Sequence, residues 1–361
     1  MDERQPDRTV RVRSFLDALV TRSRAPGIQY LVVDSTSTLF EYDGGWADVA
    51  RRISMDSTTT LLAYSMSKTI TAAAVLRLVT EGRVRLDDPI ARYVDSLPYP
   101  GTITVRQLLS HTSGIPNPIP LRWVHLASAH ATFDERAALA AVLRDHPKVS
   151  SPPGSRYAYS NIGYWLLGAV VERASGRPFT TYVAEQVLAP LGITPRELGY
   201  TIPDAARHAT GYLKKYSLMN LAKRLLIDRE FIGEYEGPWL SIVSHYPNGP
   251  AFGGLVGTAR GFGKFLQDEL RPHSVLFDDT TRALLFEPQR TTDGATIAMT
   301  LAWHVGELDG VRFFYKEGGG GGFHHMMRVY PGSGIATVVM SNATGFDARG
   351  CLDTVDRAFL R

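Results

Sequence analysis

The chain predicts a mixed α/β (α+β) fold: an antiparallel sheet flanked by helices, with an inserted, mainly helical lobe. Strand-like runs rich in β-branched and aromatic residues sit near both ends. The long middle carries helix patterns, prolines and turns instead. An alanine-rich helix follows the first strands and opens with Ser65-Met66-Ser67-Lys68.

Taken in order, Thr9 to Arg24 reads as an amphipathic helix, with Val12, Phe15, Leu16 and Leu19 among its apolar positions and Pro26-Gly27 at its end. Ile28–Val33 and Thr38–Tyr42 read as strands, with Asp43-Gly44-Gly45 as a turn. The next helix runs from about Ser65 to Thr80, and Gly82 can take the left-handed cap. Tyr164 to Ala174 reads as a buried helix and Pro178 to Leu188 as another. Val311–Lys316, Met326–Tyr330 and Ile335–Met340 read as adjacent antiparallel strands, and Asp347–Leu360 as a helix packed back on the sheet. The expected organisation is one domain over residues 1–361: a sheet lobe (about 1–82 and 255–361) and a helical lobe (about 83–254).

Composition narrows the function classes. With 361 residues, 44% hydrophobic and 21% charged, the chain has the make-up of an ordinary globular protein. A net charge of +3 without a basic stripe of interleaved aromatics argues against a nucleic-acid partner. The one cysteine, Cys351, cannot form an internal disulfide. No apolar run reaches the ~18 residues of a membrane span. The charged start leads into no apolar stretch, so a cytoplasmic protein without a signal peptide is expected.

Ser65 and Lys68 lie three apart on one helical face, which places a nucleophile beside a base. Ser67 lies off that face. Tyr159-Ser160-Asn161 follows the helix breaker Pro152-Pro153-Gly154, so Tyr159 is expected on a loop just before a helix. Lys316-Glu317-Gly318 ends a strand, where glycine would let an acyl group lie against the backbone. Other patterns carry less. The Gly318–Gly322 run lacks the Lys-Ser/Thr ending of a phosphate loop. His111 reads as a structural residue of its Thr-Ser-Gly turn. His324 and His325 are neighbours on a strand and point to opposite faces, so no metal site is expected. No G-x-S-x-G appears.

In their order, Ser65-x-x-Lys68, Tyr159-x-Asn161 and Lys316-x-Gly318 resemble the serine β-lactamase-like family, which includes class C β-lactamases, D,D-peptidases and family VIII carboxylesterases. The stretches Arg106–Ile115, Tyr164–Gly176 and Gly253–Arg260 are similar too, so the resemblance spans roughly Gly27 to Thr344. It implies a β-lactamase/transpeptidase-like fold with no cofactor. Ser65 would form an acyl-enzyme. Lys68, Tyr159 and Lys316 would be its catalytic partners. The backbone N–H groups of Ser65 and Gly319 would form the oxyanion hole, and Asn161, Glu317 and Gly318 would meet substrate. Burial and the neighbouring Lys316 would lower the pKa of Lys68, and the same cations would lower that of Tyr159.

The family often has Thr or Ser where this chain has Glu317. Facing the cleft, Glu317 would repel a substrate carboxylate and favour neutral esters. Facing away, as alternate strand residues do, it would not. The expectation is therefore a serine hydrolase acting on a small ester or amide, foremost a carboxylesterase on neutral short-chain esters. The alternatives are a D-amino-acid peptidase or amidase, a weak β-lactamase, an acyltransferase, or a non-catalytic ligand-binding protein. The Tyr212–Phe231 segment reads as a helical lid with a basic face, and Phe231, Tyr235 and Trp239 as candidate pocket aromatics.

Overall fold

The strands Gly27–Val33 and Ile335–Ser341 are buried along their whole length, because the sheet they centre is covered on both faces. The computed structural model describes residues 5–118, 122–221 and 227–360. Its main sheet has seven antiparallel strands in the order His304–Leu308, Val311–Gly320, Phe323–Tyr330, Ile335–Ser341, Gly27–Val33, Thr38–Asp48, Ile53–Ser54. The two chain ends thus meet in one sheet, with Ile28 opposite Ser341 and Val33 opposite Ala336.

Strand alternation divides the apolar side chains between two cores. Tyr30, Val32, Met326 and Val339 face the terminal helices Gln5–Thr21 and Ala348–Val355, packing with Leu16 and Leu352. Leu31, Val33, Met327 and Val338 face the larger core, with Phe262 and Phe265 of the helix Ala259–Leu270. Deeper in that core lie the helices Ser67–Thr80 and Asn161–Ser175.

Several elements differ from the sequence expectation. The first helix begins at Gln5 rather than Thr9. Asp43-Gly44-Gly45 does not reverse the chain; it continues the strand Thr38–Asp48 in register with Gln29, Ile28 and Gly27. Gly45 takes φ +82°, and a Cβ there would sit 2.2 Å from the Pro26 carbonyl oxygen, so the glycine serves a close backbone approach. The first residues of the Gly318–Gly322 run also belong to a strand, Val311–Gly320. His304–Leu308 was not anticipated, since His-Val-Gly-Glu-Leu lacks a dense β-branched pattern. The last helix stops at Val355 and continues as a 3-10 turn, Asp356–Ala358. Of the segment expected as a helical lid, Tyr212–Phe231, only the start is strand: Gly211–Lys214 joins Ile232–Glu236 and Trp239–Ile242, which follow that segment, in a three-stranded sheet. Within that segment residues 218–221 are α-helical and Arg229–Phe231 is a 3-10 turn, while Ala222, Lys223, Arg224, Leu225 and Leu226 lie outside the described residues. Among the described residues no helix is long and apolar enough to cross a membrane.

A buried ion cluster ties the last turn to the sheet. Arg328 and Asp356 are both 0% exposed. Arg328 donates to Asp353 Oδ1 at 2.5 Å and Asp356 Oδ2 at 3.5 Å, while Tyr30, Tyr330 and Thr337 hydroxyls also donate to Asp356. Burial raises the Asp356 carboxyl to about 6, with Arg328 opposing that shift. Asp356→Ala would leave the buried guanidinium with Asp353 as its one carboxylate among the described residues and deprive three buried hydroxyls of their acceptor, and should destabilise the protein by about 3–5 kcal/mol. Urea unfolding checks this, and a change under 1 kcal/mol would contradict it.

Candidate active site

The polypeptide enters the site through a strained turn. Leu61–Leu62 pairs with Val256–Gly257, and Ala63 N–H donates to Leu255 O at 2.8 Å. Tyr64 then takes φ +46°, in the left-handed region that non-glycine residues seldom occupy. Tyr64–Met66 forms a 3-10 turn, and the α-helix begins at Ser67 rather than at Ser65. Ser65 is partly exposed in a run of buried residues. Ser67 is fully buried, its Oγ accepting from Leu255 N–H at 3.0 Å.

The second element is the loop before Asn161–Ser175. Ser160 caps that helix by accepting from Gly163 N–H at 3.0 Å, and Gly176 closes it at φ +71°. Asn161 is the first helical residue. The His111–Gly114 turn holds the preceding loop: Ala158 N–H donates to His111 O, Gly154 N–H to Thr112 O and Ser150 N–H to Gly114 O, each at 2.7 Å. His111 Nδ1 accepts from Ser160 N–H at 3.2 Å, and its ring lies 4.3 Å from that of Tyr159. His111 therefore orders the Tyr159 loop as well as its own turn.

The third element is the far end of Val311–Gly320. His304–Leu308 pairs only with Val311–Tyr315, so beyond Tyr315 the outer edge runs past its partner strand. That edge abuts the turn at Ser65. A Cβ on Gly318 would lie 2.3 Å from Ala63 O and 3.0 Å from Met66 N. Glycine here allows close packing of strand on turn.

These elements bring the polar groups together. Ser65 Oγ lies 3.0 Å from Lys68 Nζ and 2.7 Å from Tyr159 Oη. Lys68 Nζ also donates to Asn161 Oδ1 at 2.8 Å and to the Phe252 carbonyl at 2.6 Å. Asn161 is held in turn by Asn117, whose Oδ1 accepts from both the backbone and the side-chain N–H of Asn161 at 3.0 Å. Lys316 Nζ lies 5.4 Å from the centre of the Tyr159 ring and has no hydrogen-bond partner among the described residues.

Burial dominates the electrostatics. Lys68 is 0% exposed and Lys316 1%. Burial, aided by the Lys316 charge, holds Lys68 well below the usual lysine range, and burial brings Lys316 down to about 7. Burial raises the Tyr159 phenol, which its bond to Ser65 only partly offsets. The expected lowering of Tyr159 is thus overturned: desolvation of a phenolate outweighs the attraction of two amines that are themselves easily deprotonated. A neutral Lys68 has two N–H bonds for Asn161 Oδ1 and Phe252 O, which only accept. Its lone pair is then left facing the Ser65 hydroxyl.

Glu317 and Lys316 alternate along the strand and take opposite faces. Glu317 Oε1 is 2.6 Å from His324 Nε2, whose Nδ1 lies 2.5 Å from Phe346 O. Each partner favours the other's charged form, so the carboxylate is balanced by an imidazolium. His325 meets Leu62 O on the other face, separating the two histidines as alternation requires. Gly319 and Gly320 border an apolar cavity with Tyr64, Phe231 and Phe252; Tyr235 and Trp239 do not line it. Sequence reasoning missed Asn117 and the Phe252 carbonyl. Phe252 directly precedes the Gly253–Arg260 stretch, the one signal that pointed near it.

The Beta-lactamase family model matches residues 12–360, and the chain belongs to that family. It is 28% identical over 213 residues to Protein flp of Staphylococcus aureus (strain N315), covering 57% of this chain and 41% of that protein. It is 30% identical over 204 residues to the D-alanyl-D-alanine-carboxypeptidase/endopeptidase AmpH of Escherichia coli (strain K12), covering 54% and 51%. The match therefore spans about half the length of these relatives or less. The D-amino acid amidase of Ochrobactrum anthropi SV3 has the same fold, with a TM-score of 0.78, 22% identity and 98% of both chains covered.

The buried amines should leave a signature in stability. Folded Lys316 loses its proton above about 7, whereas an unfolded lysine keeps its proton up to about 10.4. Across that window the unfolded chain binds more protons, so stability rises with pH. Lys316→Met should raise the melting temperature at pH 7 and flatten this rise; unchanged pH dependence would contradict it.

Proposed function

We propose that the protein is a serine hydrolase that works through an acyl-enzyme on Ser65, at a cleft between the sheet lobe (about 1–82 and 255–361) and the helical lobe (about 83–254). The observation that carries this reading is Ser65 Oγ bracketed by Lys68 Nζ at 3.0 Å and Tyr159 Oη at 2.7 Å. Neutral Lys68 takes the Ser65 proton as Oγ bonds to the carbonyl carbon. The backbone N–H groups of Ser65 and Gly319 receive the oxyanion. Tyr159, a neutral phenol, gives its proton to the departing alkoxide and regains one from the Lys68 ammonium. Water then repeats the sequence to release the acid. Asn161 holds Lys68, and Lys316 keeps Lys68 deprotonated. Gly318 lets the oxyanion strand approach Ser65.

The substrate reading is a carboxylesterase on neutral esters. Its support is the cavity beside Gly319, whose lining holds no charged side chain among the described residues, since Glu317 is paired with His324. A D-amino-acid peptidase or amidase is the second reading, favoured by the unpartnered Lys316 Nζ as an anchor for a carboxylate.

Three outcomes are expected. A fluorophosphonate should add once to the wild type and not to Ser65→Ala, as read by intact mass; a folded wild type that takes no adduct would refute the nucleophile. Lys68→Met should lower kcat/KM on the order of 10²–10⁴-fold. Because Lys316 lowers the Lys68 pKa, Lys316→Met should move the acid limb of the pH–rate profile to higher pH. A limb that stays in place would remove Lys316 from this role.

A further inference from the structure

Beside the turn carrying Ser65 lies a cavity of ≈ 210 Å³. Its walls include Leu213, Phe231, Ile242, Pro247 and Phe252, and its lining holds no Asp, Glu, Lys or Arg among the described residues. Its main polar side chains are already engaged. Tyr64 Oη meets His245 Nε2 at 2.7 Å and Gly321 O at 2.8 Å, and His245 Nδ1 meets Val243 O at 2.8 Å. Burial keeps His245 neutral by lowering its pKa. Thr344 Oγ1 accepts from Gly322 N–H at 2.8 Å and donates to Tyr212 O at 3.3 Å. A ligand here meets apolar surface and pays heavily for any charge it brings.

Position assigns the cavity to one half of the substrate. It borders Gly319, the proposed oxyanion donor, and Phe252, whose carbonyl holds Lys68. Tyr159, Asn161 and Lys316 do not line it. The leaving group must lie within reach of the proton that Tyr159 supplies. The group that stays on the carbonyl carbon then points the other way, into the cavity.

Resting on the serine-hydrolase reading, we infer that this cavity is an acyl pocket for uncharged, apolar acyl groups longer than acetyl. An apolar cavity of about 150 Å³ is enough to hold benzene. The larger volume here accepts an acyl chain on the order of six to eight carbons, or an arylacetyl group. Phe231, from the 3-10 turn Arg229–Phe231, and Ile242, from the strand Trp239–Ile242, are its specificity-determining residues.

The test is a series of p-nitrophenyl esters from acetyl to dodecanoyl, with the leaving group constant. For the wild type, kcat/KM should rise about fourfold per added methylene, then stop rising near hexanoyl to octanoyl. The adipoyl monoester, which ends in a carboxylate, should be on the order of 100-fold poorer than the hexanoyl ester. Ile242→Phe should move the optimum to shorter chains and Phe231→Ala to longer ones, opposite shifts that general damage would not produce. A series that is flat or falls from acetyl overturns the inference, as does a slope found only when the alcohol is lengthened. A fluorophosphonate adduct on Ser65 together with a flat series removes the acyl pocket alone. No adduct on folded protein removes the serine reading on which it rests.

Discussion

The site depends on removing the Lys68 amine from water. A buried ammonium is expensive, and proteins meet that expense by neutralising the group. Here the helix Ser67–Thr80 places Lys68 against Asn161 and the Phe252 carbonyl, both pure acceptors toward it. Ala72, Ala73 and Ala74 are buried on the same helix, where small side chains allow the close packing that keeps solvent out. A surface lysine with the same spacing to a serine would stay cationic and offer no base.

A second constraint follows from the first. If the base is buried, the serine must be delivered to it from the edge of the cleft. The chain does this with a left-handed Tyr64 and a short 3-10 turn ahead of the α-helix. Such backbone is unfavourable by itself and persists because its surroundings over-determine it. Tyr64 Oη is bound to His245 and Gly321, and Gly318 and Gly320 leave room for the turn and the Tyr64 ring. The strand Val311–Gly320, the turn carrying Ser65 and the wall of the apolar cavity are therefore one packed unit.

The charges around Ser65 are largely neutralised. Lys68 and Lys316 are both biased towards their neutral forms, and Glu317 is compensated by His324. Little net field is left around Ser65, so on the proposed reading discrimination between acyl groups would fall to shape and desolvation. On that reading Glu317, conspicuous as a departure from the family pattern, carries less weight than the cavity walls, which hold no charged side chain among the described residues.

Much of this was legible in the chain itself. The meeting of both chain ends in an antiparallel sheet, the helices around it and the order of the three motifs follow from periodicity and residue type, which act over a few residues. Turns were the weak point. Asp43-Gly44-Gly45 has turn composition, but ladder pairing with Gly27–Gln29 overrides it. The segment from Tyr212 to Phe231 has helical composition, but its flanks pair as strands. Spacing paired Ser65 with Lys68, and the resemblance to the family's motifs added Tyr159, Asn161 and Lys316 as candidates. Only the tertiary structure brought Asn117 and the Phe252 carbonyl to them, turned Glu317 to His324, and made Tyr159 a harder phenol to ionise. Those outcomes depend on burial and on contacts between residues far apart in sequence, and no local pattern encodes how much water a fold will exclude.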